Sequence, residues 1–120
     1  MSGSPIDRLH PADLSMFIRL VAVGWTAIEA LGLTCASIEP LDGQDAVRLG
    51  RLGDCQRLSK RIRLTLRFRT ADGRWDARRP DAELWDTLAH EIAHLEYPHH
   101  RSTFWSYVRV VEDEIAAARR

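Results

Sequence analysis

The chain is short of the features that mark several large protein classes. It has two cysteines in 120 residues, Cys35 and Cys55, and they form no C-x-x-C pair. No zinc ribbon can be drawn from them, and both read as small core residues rather than a disulfide. The longest uninterrupted apolar runs fall well short of the ~20 residues that cross a bilayer, so no membrane span is expected. Met1 to Pro5 is polar and is not followed by a basic then apolar leader, so no signal peptide is expected and the protein reads as cytoplasmic. Internal repeats, low-complexity tracts and linkers are absent. A length of 120 residues leaves room for one domain, residues 1–120. Net charge is missing too, since 17 basic and 17 acidic side chains cancel.

That cancellation hides an uneven distribution. Arg48, Arg51, Arg57, Lys60, Arg61, Arg63, Arg67 and Arg69 lie within one segment, opposed there only by Asp54. Such a segment can serve a phosphate backbone, with Arg57, Lys60, Arg61, Arg63, Arg67 and Arg69 as candidate contacts, or it can be the solvated face of a strand.

The chemistry concentrates in residues 90 to 94, His-Glu-Ile-Ala-His, followed by His100. On a helix, positions i and i+4 share a face about 6 Å apart. His90 and His94 can therefore each offer a nitrogen to one zinc ion. Glu91 is rotated by roughly 100° around the helix, away from that line. It suits a general base rather than a ligand, which is the division of labour in H-E-x-x-H. The flanks from Pro80 to Tyr97 are helical in pattern. Leu84, Leu88 and Ile92 recur every four residues, beside Trp85, Ala89 and Ala93. Pro80 fits the first turn, and Pro98 ends the helix by driving Tyr97 out of the α region. The forced turn places His100 first among candidate third ligands, ahead of His99, Glu112 and Glu114. Three imidazoles would leave a fourth position for water, the arrangement of a catalytic site.

The rest of the pattern gives an α+β layer. A first helix opens at His10 to Asp13 and carries Leu14, Phe17, Val21, Trp25, Ile28 and Leu31 as its stripe, with Gly32 as its stop. Leu33–Ile38 and Ala46–Leu52 are candidate strands separated by an Asp42-Gly43 turn, with Gly50 and Gly53 bending the second. Residues 61 to 69 alternate strictly, Ile62, Leu64, Leu66 and Phe68 against basic residues and Thr65, and form the clearest strand. A last helix is expected after a Ser102 or Thr103 cap, with Phe104, Val108, Val111 and Ile115 buried. The expected architecture is an N-terminal helix, a small antiparallel sheet of about three strands, the motif helix and a C-terminal helix.

The segments RLGRLGDC (48–55), KRIRLTLRF (60–68) and DTLAHEIAHLEYPHHRSTFW (86–105) resemble the SprT-like metallopeptidases and the related YgjP-like and WLM families. About half the chain, Arg48 to Trp105, carries the likeness. The resemblance implies a minimal zincin-like domain, a Zn2+ cofactor, a protein or peptide substrate, His90 and His94 as ligands and Glu91 as base. In the YgjP-like group a histidine ahead of a Phe-Trp pair is the third ligand, which implies His100, ahead of Phe104-Trp105. Relatives often carry Asn before that histidine, where this chain has His99. The chain also lacks the zinc ribbon and DNA-binding extensions of many SprT-like proteins, so the likeness does not imply repair of DNA–protein crosslinks. Tyr97, Tyr107 and Arg109 are candidate oxyanion donors. An extended substrate is expected along a sheet edge, at the strand preceding the motif helix. Two rivals share the pattern. One is a zinc endoribonuclease with H-x-x-x-H-x-x-x-x-x-H ligands, although Glu91 replaces the glycine usual there. The other is a non-catalytic zincin-fold protein that binds nucleic acid or protein.

Overall fold

The computed structural model describes residues 8–120; the expectation about Met1 to Pro5 lies outside them. A short 3-10 turn, Pro11–Asp13, leads into α1 (Leu14–Ala30). His10 opens it, its Nδ1 accepting the Ala12 amide at 3.0 Å, and Pro11 supplies a pre-set φ. Gly32, at φ 68, ends the helix in the left-handed region, as the sequence predicts. The buried face is Phe17, Leu20, Val23, Ala27 and Ile28, turned slightly from the expected stripe, so Leu14 is exposed and Trp25 half-buried. Pro11–Ala30 has the length and mean hydropathy (1.3) of a membrane span after all. Its uninterrupted apolar runs are short, but Leu14, Ile18, Leu20, Val21, Val23 and Ile28 carry the average across Ser15 and Arg19. The buried face of α1 packs into the protein core.

The sheet holds β1 (Ser37–Pro40), β2 (Gly53–Gln56) and β3 (Arg61–Leu64) in the order β1-β3-β2. β2 and β3 form an antiparallel hairpin, while β1 runs parallel to β3. The sheet is therefore mixed, not antiparallel, because a helix sits in the connection after β1. That helix, α2 (Gly43–Leu49), occupies the stretch expected to be a strand at Ala46–Leu52. Asp42 is its N-cap, with Oδ1 accepting from the Gln44 and Asp45 amides at 2.9 and 3.3 Å, and Gly50 closes it at φ 65. What reads as an Asp-Gly turn is a helix start. Gly43 is required there: a Cβ would lie 2.6 Å from the Arg67 carbonyl oxygen, so only glycine lets α2 rest on the backbone of residues 67 to 69. β1 begins later than the Leu33–Ile38 expectation. The alternating segment joins the sheet only from Arg61 to Leu64; beyond it Leu66 stays buried and Arg69 forms a separate antiparallel bridge with Trp75.

α3 (Asp81–His94) lies on the apolar face of the sheet, with Leu84, Leu88 and Ile92 fully buried in the core that also holds Ile62 and Leu64. Pro80 sits at its N-cap, one position before the first turn. α4 (Ser102–Ala118) packs on α3 and α1 through Phe104, Val111 and Ile115. Arg101 is its N-cap, with no side-chain hydrogen bond, so neither Ser102 nor Thr103 caps it.

Candidate metal centre and its cleft

α3 supplies His90 and His94 from its last turn. The chain then turns through Leu95 and Glu96, passes Pro98, and returns His100 to the same point. The three Nε2 atoms lie 3.1 Å (His90 to His94), 3.0 Å (His94 to His100) and 3.3 Å (His90 to His100) apart. Tetrahedral donors about 2.1 Å from a zinc ion would be about 3.4 Å apart. The three rings thus converge with donor nitrogens facing one centre, and the set could hold a metal ion. His99, Glu112 and Glu114 are not brought into it. The His99 Nδ1 accepts the Arg101 amide at 3.1 Å.

Neighbours fix each ring. His94 donates from Nδ1 to the Tyr97 carbonyl at 2.8 Å, which leaves its Nε2 lone pair facing inward. Phe104, fully buried, stacks on His94 with centroids 4.5 Å apart and meets His90 edge-on at 5.0 Å. Trp105 donates from Nε1 to the His100 carbonyl at 3.0 Å. The Phe-Trp pair at the start of α4 is therefore the support of the cluster. Burial, aided by His94 and His100, pushes His90 down to about 4, and burial lowers His94 as well. Both rings stay neutral at physiological pH, the form a metal needs.

Glu91 points off this line into an adjoining cleft of about 400 Å³, bounded by Arg51, Gly53, Asp54, Cys55 and Arg57 with the three histidines and Pro98. The residue is 6% exposed, and among the described residues its carboxylate has no hydrogen-bond partner. Burial, reinforced by the negative field of Asp54 and partly offset by Arg51, pushes Glu91 up to about 8. Gly53 lets β2 approach α3 closely: a Cβ there would meet the Arg63 carbonyl oxygen and Thr87 Cγ2, each at 2.9 Å. Arg79 holds the same junction. Its Nη1 donates to the carbonyls of Leu52 (3.2 Å) and Thr65 (2.8 Å), and its Nη2 to Thr87 Oγ1 (2.8 Å).

The cleft residues on β2 escaped sequence reasoning, because a four-residue strand carries almost no periodicity. Gly53, an apparent interruption, was the one visible signal. Tyr97 and Tyr107 pack against each other, ring centroids 5.4 Å apart, and neither they nor Arg109 lines the Glu91 cleft. The expected substrate strand, the one before α3, is β3, and it lies in the middle of the sheet. The edge beside the centre is β2. Leu52 pairs with Thr65 through the Thr65 amide, so the ladder's alternation turns the amides and carbonyls of Gly53 and Cys55 away from β3.

The basic segment is largely neutralised by its own Asp54 and by Glu39 and Asp13 from elsewhere. Arg61 makes two bonds to Glu39 (2.8 and 3.1 Å), Arg67 two to Asp13 (2.8 and 3.1 Å), and Arg63 two to Asp54. Arg61 holds the Glu39 carboxyl at about 2. Lys60 donates to the Leu95 carbonyl at the end of α3, and Arg69 stacks on Trp75 at 4.6 Å. Arg57 lines the cleft.

No family profile and no curated protein matches the chain. Solved structures do. The fold is similar to that of Wss1 from S. pombe. The likeness has a TM-score of 0.67 at 24% identity, covering 92% of this chain and 87% of that one. A Glu-to-Gln mutant of Wss1 matches at 0.65 and 22%, over 88% and 87% of the two chains. At this identity the likeness establishes the fold.

Proposed function

We propose that the chain is a zinc-dependent metallopeptidase related to the WLM and SprT-like families. The observation that carries this reading is the convergence of three imidazole nitrogens on one point beside a buried glutamate, at the end of a cleft flanked by a free strand edge. The donor set fits a cation: among the described residues the three inward Nε2 atoms meet only one another, and three imidazole nitrogens converging on one point are a ligand set. His90, His94 and His100 would hold it. When bound, a zinc ion supplies Lewis acidity, acidifying water toward a pKa of about 7 and polarising a substrate carbonyl.

The chain's own groups do the rest. Glu91 takes the proton of the attacking water on a carboxylate oxygen and passes it to the leaving amine. Positive charge at the neighbouring centre favours the ionised form it needs. Phe104 and the rim of the cleft keep bulk water from the back of the rings. The outward amide and carbonyl groups of Gly53 and Cys55 can pair with an extended substrate backbone without reading its sequence.

Metal content of tag-free protein, measured with cleavage of casein and of structured RNA with and without chelator, tests the reading. Zinc near one equivalent and chelator-sensitive casein cleavage are expected; RNA cleavage without proteolysis would favour the endoribonuclease. Three of the six candidate phosphate contacts, Arg61, Arg63 and Arg67, are already held in bidentate pairs with acids, which weakens that alternative.

A further inference from the structure

A second groove meets the centre at His90, on the side away from β2. It encloses about 400 Å³ between α3 and α4, lined by Asp86, Trp105, Val108, Arg109 and Glu112. Its geometry follows from helix periodicity. Asp86 lies one turn before His90 on the same face of α3, and Trp105, Val108 and Glu112 share a face of α4. Trp105 is 51% exposed, a large apolar wall beside the centre. Among the described residues, neither Asp86 nor Glu112 has a basic side chain within ion-pairing distance. A smaller groove further along, floored by Trp85, already holds a cation of this chain: the Arg119 guanidinium lies 4.3 Å from the Trp85 ring centroid. The Trp105 groove has no such occupant among the described residues.

We propose that this groove is the subsite for a basic side chain, lysine or arginine, on the substrate residue next to the scissile bond. The inference rests on the peptidase reading and names its preference. Four residues of helix rise about 6 Å from His90 back to Asp86. A lysine's four-carbon stem has a similar reach, so a side chain starting beside the centre places its head at that carboxylate. The stem lies on Trp105 and Val108, and Glu112 offers a second acceptor from the opposite wall. Arg109 lines the same groove and Arg119 borders both acids from the smaller one, but among the described residues neither lies within ion-pairing distance of Asp86 or Glu112, so both carboxylates are open to an incoming cation. The cleft on the other side sets Arg51 and Arg57 against Asp54 and Glu91.

The test is a set of peptides identical except for Lys, Arg, Leu or Glu at either residue flanking the cleaved bond. At one flank, kcat/KM for Lys and Arg should exceed Leu and Glu by ~10-fold. In Asp86→Asn/Glu112→Gln that ratio should fall to within ~2-fold, and Asp86→Lys/Glu112→Lys should turn the preference to Glu. Equal rates in the parent, or a ratio that survives the double substitution, overturn the subsite and leave the peptidase reading intact. If metal-loaded parent cleaves none of the peptides, the peptidase reading falls, and calorimetric binding of the same peptides to Glu91→Gln decides the groove. Tighter binding of Lys over Glu by ~10-fold, lost in the double variant, upholds it; equal binding removes it.

Discussion

His94 donates from Nδ1 to the Tyr97 carbonyl, 2.8 Å away and three residues on. One bond thus sets the ring's tautomer and pins the turn that returns His100. Trp105 does the equivalent for His100 from the other side, through its carbonyl. Groups that only orient ligands commonly matter about tenfold or more to metal affinity. Trp105→Phe, which keeps the apolar wall and removes the donor, should weaken zinc affinity by ~10-fold in a competition titration with a chromogenic chelator. Unchanged affinity would mean that His100 is held by the turn alone.

Glu91→Gln should keep the metal and lose ~10²–10⁴-fold in peptide turnover, because it removes the proton acceptor and leaves the ligands. Metal analysis beside single-turnover hydrolysis reads both quantities from one preparation. A variant that turned over like the parent would assign the proton transfer to another group.

Chelation should lower the melting temperature of the parent. A metal present at 100 to 1,000 times its dissociation constant adds roughly 3–4 kcal/mol to the folded state. His90→Ala, which breaks the set, should melt at the same temperature with and without chelator. Calorimetry of the four samples checks this, and a chelator effect that persists in the variant would place the metal elsewhere.

The metal-free protein should show a pH dependence owed to Glu91. Its folded pKa, about 8, lies above the unfolded value near 4.5. The folded state therefore binds the extra proton between those values, and the parent loses stability as pH rises from about 4.5 through about 8. Glu91→Gln removes that loss, so its stability relative to the parent should increase with pH across the window. His90, depressed to about 4, acts with the opposite sign between about 4 and 6.5, and it is present in both proteins, so the difference isolates Glu91. Urea melts at pH 5, 6.5 and 8 in the presence of chelator give the comparison. A difference that stays flat would show the carboxyl to be ionised at neutral pH.

Gly53→Ala should cost about 1–3 kcal/mol, since the added methyl meets the Arg63 carbonyl and Thr87 and forces β2 off α3. With the edge displaced from Glu91, KM should rise more than kcat falls. Denaturant midpoints and steady-state kinetics on the same variant test both parts, and an unchanged KM would argue against substrate pairing on β2.

Much of the site was legible because helix geometry is local. Four residues of α-helix bring His90 and His94 together whatever surrounds them, and Pro98 announces the turn that makes His100 available. Long amphipathic patterns gave α1, α3 and α4 for the same reason. The sheet was harder. Its strands are four residues long, too short for a period to register, and Asp42 and Gly50 proved to be helix caps rather than turn residues. Charge was misleading in a different way. The basic face of β3 looks free along the chain, yet its partners Asp13, Glu39 and Asp54 come from other elements.

The sequence by itself determined α1, α3 and α4, the ligand spacing and the separation of Glu91 from the ligand line, because these depend on bond geometry over a few residues. Only the tertiary structure decided that α2 makes the sheet mixed, that β2 rather than β3 borders the centre, and that Phe104 and Trp105 hold the rings. Those outcomes depend on which surfaces bury together, and contacts between residues far apart in the chain leave no local pattern to read.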